Sequence, residues 1–287
     1  MTGELVVVST PIGNMGDLSP RAAEALACAD MVLAEDTRRT GLLLRRAGVK
    51  TEGLSSLHGH NETARLSELV GELAAGRRLV LVSDAGTPTV SDPGSRLVAA
   101  AAEAGARVTA VPGPSSVLAA LVVSGMGGGR FSFEGFLDRR GRGRAEGLLR
   151  VAASDCPSVI FESPLRTAAT LADLAGACGD ERQVAVCREL TKLYEETWRG
   201  TLSAAAARFS ESPPRGEIVV VVGATAPRVP PCDRPSDEAL AVEVDRLVEA
   251  GRSRRDAAAL VAAAHGLRRR LVYELAVSGQ GAGGAAR

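Results

Sequence analysis

"LVSDAGTPTVSDPG" (81–94) ends an apolar run in two near-copies of one small pattern: Ser83-Asp84 followed by Gly86, then Ser91-Asp92 followed by Gly94. A strand that runs into Ser, Asp, Gly and Pro either turns a corner or brings its backbone close to something bound. The flanking pattern decides the fold class. Val-rich runs recur at 5–9, 79–83, 107–111, 158–161, 183–187 and 217–222. They are continuous rather than alternating, as expected of strands buried on both faces. Helical patterns lie between them. Ser19-Pro20 opens "RAAEALACAD", with Ser as N-cap and Pro at the first helical position. Ser163-Pro164 is predicted to open "LRTAATLADLAGAC" in the same way, with Gly179 closing it. This alternation predicts an α/β protein with largely parallel strands.

Composition narrows the function classes. Hydrophobic residues make up 45% and aromatics only 3%, so Val, Leu and Ala must build the core. Acidic and basic residues balance at 34 each, so a basic patch for nucleic acid has to be local. Lys occurs only at Lys50 and Lys192 among many Arg, which marks both as places where a compact, titratable ammonium is wanted. Five scattered cysteines lack a CxxC pair, and neither a disulfide framework nor a zinc site is expected. The N-terminus lacks a basic n-region, and the Ala-rich stretch 97–123 is broken by charges and turns. No signal peptide or membrane span is expected, and the location is read as cytoplasmic.

The loops after the strands carry the chemistry, since open α/β sheets bind ligands beyond the strands' carboxyl ends. "TPIGNMGD" has Pro where a dinucleotide fingerprint needs its first Gly, and no GxxxxGK[ST] occurs. What remains suits a ligand held by backbone groups, with adenine in an apolar slot and polar ends fixed by Ser, Thr and Asp.

Taken in order, "VVSTPIGNMGDLSPRA" (7–22), "AEDTRRTGLLL" (34–44), "HGHNE" (58–62), the 81–98 loop, "VTAVPGPSSVLAAL" (108–121), "FESPLR" (161–166) and "RELTKLYEETWRGTL" (188–202) closely resemble the ribosomal RNA small-subunit methyltransferase I family. That family belongs to the tetrapyrrole-methylase-like (class III) S-adenosylmethionine enzymes. The resemblance implies 2′-O-methylation of a cytidine ribose in the decoding region of 16S rRNA, within the small ribosomal subunit, by a homodimer. It implies two α/β domains, 1–113 and 114–226, with the cofactor cleft between them. A Pro-rich linker and helical tail follow over 227–287. The tail's short helices around Gly266 have a helix-turn-helix look, suited to RNA or to packing.

By the same resemblance, Pro11, Ser83, Asp84, Thr87, Ser115 and Ser116 line the cofactor site from the first domain. Phe161 and Leu190 close it from the second. Asp92 and Gly94 are read as holding the loop itself. The proton acceptor stays open among Glu35, Asp36, His60, Glu62, Lys192, Glu195 and Glu196. Asp36 leads as base and Lys192 as a positioning or oxyanion-stabilising cation. The structural alternatives are an Asp36 that pairs with Arg38 or caps the next helix, and a Lys192 paired with Glu195 or Glu196. Arg38, His60, Asn61 and Glu62 are expected on the substrate. His58 and His60 would share one face of a strand, yet no metal is expected. Arg139 and Arg140, with Arg142 and Arg144, form a mobile loop for RNA phosphates. Leu165 stands where the family usually has His, and Asp138 where it has Pro. A tetrapyrrole C-methyltransferase and a non-catalytic ribosome-binding protein are the alternatives.

Overall fold

The structure, a computed structural model, describes residues 3–127, 129–225 and 235–278. The chain forms two compact units, Met1–Thr225 and Ala226–Arg287. The first unit contains two five-stranded sheets.

The first sheet is wholly parallel. Its strands are β1 (Glu4–Val8), β2 (Met31–Ala34), β3 (Leu54–Ser56), β4 (Arg78–Val82) and β5 (Arg107–Val111), in the order β3-β2-β4-β1-β5. The continuous Val/Leu runs explain it, because successive residues feed opposite faces. Val6, Val8, Val80 and Val82 pack with Ala25 and Leu26 of helix α1 (Pro20–Ala27). Leu5, Leu79 and Leu81 pack on the other side with Leu69 and Leu73 of α3 (Glu62–Ala74) and Leu97 of α4 (Ser95–Glu103). Burial of each such side chain contributes about 1.5–3 kcal/mol. The connection from β1 leads one way and that from β4 the other, so a crevice opens at the ends of these neighbouring strands.

The second sheet corrects the expectation of largely parallel pairing. Its strands are β6 (Ser132–Phe136), β7 (Ser158–Glu162), β8 (Gln183–Arg188), β9 (Glu196–Thr201) and β10 (Ile218–Val222), in the order β6-β7-β10-β8-β9. Only β6 and β7 pair in parallel. The segment from β8 to β9 carries no crossover helix, so the pair closes as a hairpin. One face of this sheet holds Val117 and Ala120 of α5 (Ser116–Ser124) against Val159, Ala185 and Val221. The other is covered by α6 (Gly141–Ala153), α7 (Thr167–Cys178) and α8 (Leu202–Glu211), through Val151, Leu171, Leu174, Leu202 and Phe209.

Two local expectations change. Ser163-Pro164 does not open α7; a single turn, with Thr167 Oγ1 donating to the Ser163 carbonyl (2.9 Å), precedes it. Within the Arg-rich segment expected as a mobile loop, Arg142 and Arg144 lie in the first turn of α6, Arg140 is its N-cap and Arg139 precedes it. Arg144 is clamped there by Asp173 (2.6 Å), the Asp138 carbonyl (3.0 Å) and Thr170 (3.2 Å).

The second unit packs α9 (Asp237–Glu249), α10 (Arg254–Ala264) and α11 (Arg269–Ser278) around Leu240, Val244, Ala258, Val261 and Val272. Gly251 and Gly266, both at positive φ, separate the helices. Most of the Pro-rich stretch read as a linker (226–234), Cys232 and the end of the tail (279–287) lie outside the described residues. Among the described residues no helix is long and apolar enough to cross a membrane.

Candidate active site

The loops after β1 and β4 are joined by backbone. Thr10 N–H donates to the Gly86 carbonyl (2.9 Å) and Gly86 N–H returns to the Thr10 carbonyl (3.0 Å). The buried Thr10 hydroxyl donates to the Ser83 carbonyl (3.2 Å). Thr87 ties in the third loop, since its hydroxyl meets Ser9 Oγ (2.9 Å) and donates to the Pro114 carbonyl (3.2 Å). The far end of the 81–94 loop is held by Glu62. Its carboxylate Oε1 accepts the N–H groups of Gly94 (3.2 Å), Arg96 (2.9 Å) and Leu97 (3.1 Å). Gly94 is the N-cap of α4 and has no capping side chain, and the buried carboxylate takes that part. Gly94 sits at φ +117°, and a Cβ there would lie 2.4 Å from Leu81 Cδ2.

Glu62, expected on the substrate, is therefore a structural clamp. Asn61 closes its own turn, accepting from His58 N–H (2.8 Å) and donating to the Ser56 carbonyl (3.2 Å). His60 is exposed, and His58 and His60 lie in a loop and turn after β3 rather than on a strand, their rings in a T-shaped arrangement at 6.1 Å.

A cleft of about 370 Å³ lies between the loops of the two sheets. Ile12, Asp92 and Ser116 line it from one side, and Phe161, Leu190 and Val219 from the other. A pocket of about 70 Å³ shares Asp92, Ser116 and Phe161 and adds Thr87 and Ser115. Phe161 is steadied by edge contacts to Phe133 (5.0 Å) and Phe136 (5.5 Å). The expected Ser116, Phe161 and Leu190 thus face the larger cavity, and Thr87 and Ser115 the smaller. Ser83 is buried behind the wall, with its hydroxyl toward the Ala85 and Gly86 carbonyls. Asp84 points off the cavity, accepting Asp36 N–H (2.9 Å) and pairing with Arg39 (3.3 Å). Ile12, not Pro11, lines the cleft.

Asp36 takes up both of its structural alternatives. It caps α2 (Thr37–Arg46) through Arg38 N–H (2.8 Å) and holds the Arg38 guanidinium at 3.1 and 2.8 Å. The Arg38 side-chain hydrogen bonds depress its carboxyl to about 2. An acid this strong has a weak conjugate base, ill suited to taking a proton at neutral pH. Arg38 is exposed and engaged by the same pair.

Lys192 pairs with Glu189 (2.9 Å) and Glu217 (3.0 Å), not with Glu195 or Glu196. Burial pushes its ammonium down, but the bonds to these two carboxylates outweigh that and the net shift is upward. Gly13 lies against the lysine stem: a Cβ there would be 2.3 Å from Lys192 Cγ. Arg139 and Arg140 are exposed, and neither makes an ion pair among the described residues.

Strain gathers on the loops after β4 and β8. The described non-glycine residues at positive φ are Thr89 (73°), Ser91 (63°), Glu189 (50°) and Thr191 (67°). Such conformations cost about 1–3 kcal/mol each and persist where the surroundings impose them. Sequence reasoning missed the place of Asp92 at the cleft, having read it as holding the loop itself. Asp92 faces both cavities, and burial, with help from the Glu35 and Asp84 charges, pushes its carboxyl up to about 6 against a hydrogen bond from Ser83. Its signal was the repeated Ser-Asp. Gly216 was missed too; it sits at φ +87°, where a Cβ would lie 2.4 Å from Glu189 Cδ.

The family model for tetrapyrrole (corrin/porphyrin) methylases matches residues 4–206. The chain is 44% identical to ribosomal RNA small subunit methyltransferase I of Synechocystis sp., over 96% of this chain and 98% of that protein. The proteins of the same name from Mycobacterium tuberculosis (CDC 1551 / Oshkosh) and Escherichia coli O157:H7 are 43% and 38% identical. Those matches cover 95% and 97% of this chain, and 94% and 96% of theirs. The chain belongs to the ribosomal RNA small subunit methyltransferase I family of tetrapyrrole methylases. The resemblance read from its loops is borne out, and so is the fold class. Among solved structures, the methyltransferase CobJ matches with a TM-score of 0.58 and 23% identity, over 79% of this chain and 95% of that one. A uroporphyrin-III C-methyl transferase from Thermus thermophilus, complexed with S-adenyl homocysteine, matches with a TM-score of 0.55 and 19% identity, over 77% and 97%. At these identities the likeness shows the fold that this family shares with them.

Proposed function

We propose that the protein methylates the 2′-oxygen of a cytidine ribose in the decoding region of 16S rRNA, within the small ribosomal subunit, using S-adenosylmethionine. The observation that carries this reading is the cleft at the carboxyl ends of β1 and β4, in a chain similar over nearly its whole length to proteins of that name. Its residues fit the cofactor. Ile12, Leu190, Val219 and Phe161 offer an apolar slot for adenine, and Ser116 offers a hydroxyl. When bound, the cofactor supplies an electrophilic methyl group.

The chain's own part is to bind, orient and exclude water. The Thr10–Gly86 bridge, the Thr87 tie and the Glu62 clamp fix one wall. Glu189 and Glu217, braced by Lys192, fix the other, which makes Lys192 a positioning cation. Holding two reactants in line contributes ~7 kcal/mol or more to lowering the barrier. An alkoxide-like oxygen losing negative charge and a sulfonium losing positive charge would neutralise each other, so a dry, apolar cleft does not oppose the step.

RNA phosphates are gripped by Arg139 and Arg140 at the start of α6, and by Arg255, Arg269 and Arg270 beside Tyr273, which line a hollow of the helical unit. This supports a division of labour among 1–113, 114–226 and 227–287. Exposed Leu118 and Val122 on α5, with Leu193 and Tyr194, support self-association as a homodimer. The reaction belongs to the cytoplasm, where its rRNA is. The test is methyl transfer from labelled S-adenosylmethionine to unmethylated small subunits, followed by ribose-specific mapping. One 2′-O-methylcytidine in the decoding region is expected; label on a base, on a tetrapyrrole or nowhere would refute the assignment.

A further inference from the structure

Three carboxylates line the cleft: Asp92, Glu162 and Glu217. Two are engaged. Glu162, its side chain wholly buried, accepts from Thr170 Oγ1 (2.6 Å) and Ser163 N–H (2.7 Å) and pairs with Arg166 (3.1 Å). Glu217 holds the Lys192 ammonium. Among the described residues Asp92 has no basic partner in an ion pair, and it faces both cavities. Its backbone is fixed on either side, by the left-handed Ser91 before it and by the Glu62 clamp on Gly94 after it. A short side chain on so rigid a segment has a defined aim.

We propose that Asp92 is the catalytic residue that accepts the proton of the ribose 2′-hydroxyl, an assignment that rests on the function proposed above. The O–H bond breaks with its proton passing to the Asp92 carboxylate. The oxygen's electron pair forms the new O–CH₃ bond, and the C–S electron pair stays on sulfur. Protonated Asp92 releases its proton to solvent once the products have left the cleft.

The surroundings favour proton uptake. Asp84, at the end of β4, and Glu35, at the end of β2, add negative charge beside Asp92. Glu35 is itself pushed up by burial and by Asp84. Arg39 on α2 and His58 before α3 oppose this from the rim, acting on Glu35.

The experiment compares the full-length wild type with Asp92→Asn and Asp92→Glu. Calorimetry gives the dissociation constants of S-adenosylmethionine and S-adenosylhomocysteine, and single-turnover methylation of unmethylated small subunits is followed from pH 5 to 9. Asp92→Asn is expected to bind both nucleosides within about threefold of wild type, which also reports that it is folded. Its methylation is expected to be roughly 10²–10⁴-fold slower. The limb near pH 6 in the wild-type profile disappears, and Asp92→Glu recovers part of the rate. A rate within tenfold of wild type overturns the proposal. So does an Asp92→Asn protein that loses affinity for the sulfonium form far more than for the neutral thioether, since Asp92 would then be a counter-charge. Wild-type label on an acceptor other than ribose removes the function and this assignment together, whereas ribose labelling that persists in Asp92→Asn removes this assignment alone.

Discussion

Asp36 and Asp92 are the same residue type at the ends of neighbouring strands, yet their surroundings drive them apart. Asp36 lies two residues from the arginine that neutralises it, while Asp92 is set among carboxylates. That contrast has a consequence for stability. A carboxyl raised to about 6 holds its proton more tightly in the folded chain than in the unfolded one, where it titrates near 4. Folding stability therefore falls as pH rises from about 4 to 6, and the loss persists above 6. Asp92→Asn removes the buried charge. Its melting temperature is expected to exceed that of wild type by about 2–4 °C at pH 8 and to match it near pH 4; thermal scans at the two pH values check this. A variant less stable than wild type at pH 8 would show that the charge is well solvated. The sequence offered both aspartates but not their partners. Asp36 can find Arg38 within one turn of chain, whereas the neighbours of Asp92 arrive from β2 and β4 and are visible only in the fold.

At the scale of elements, the helix that shapes the cleft begins without a capping side chain of its own. Glu62, 32 residues before Gly94, supplies the acceptor for three N–H groups. Glu62→Ala leaves those donors unpaired in a buried setting, at a cost of about 1–3 kcal/mol. Chemical denaturation measures this, and Glu62→Gln is expected to recover part of it. Faster amide exchange at Arg96 and Leu97 should accompany the loss. Equal stability of Glu62→Ala and wild type would mean that water replaces the carboxylate. The parallel sheet was legible because its Val and Leu runs are continuous and two-sided. β3, β6 and β9 were not, being short or interrupted by Gly and polar residues and half-exposed. The antiparallel order of the second sheet was equally hidden, since strand direction depends on which partner a strand meets. The Arg-rich segment read as a loop from its Gly and Arg content, but Asp173, 29 residues away, secures Arg144 in a helix.

In the molecule as a whole, the two sheets of the first unit serve different ends. The parallel sheet presents loops tied by backbone bonds, and the mixed sheet presents a Phe and aliphatic wall opposite them. The loops that line the cleft were readable because their order and spacing form a signature, although Pro11, Ser83 and Asp84 on them do not face it. The identity of the wall was readable only in part, because Gly216 belongs to a segment whose composition announces nothing and the sequence did not show which residues of 7–22 and 217–222 face the cleft. The central claim is that the space between these walls holds S-adenosylmethionine. Ala85 lines both cavities and lies outside the left-handed positions, so a larger side chain can enter there without backbone strain. The most direct measurement is calorimetric titration of S-adenosylmethionine into wild type and Ala85→Phe. The account predicts one site per chain in the wild type and an affinity at least about tenfold weaker in the folded variant, equivalent to ~1.4 kcal/mol. Unchanged affinity in Ala85→Phe, or no binding to the wild type, would contradict it.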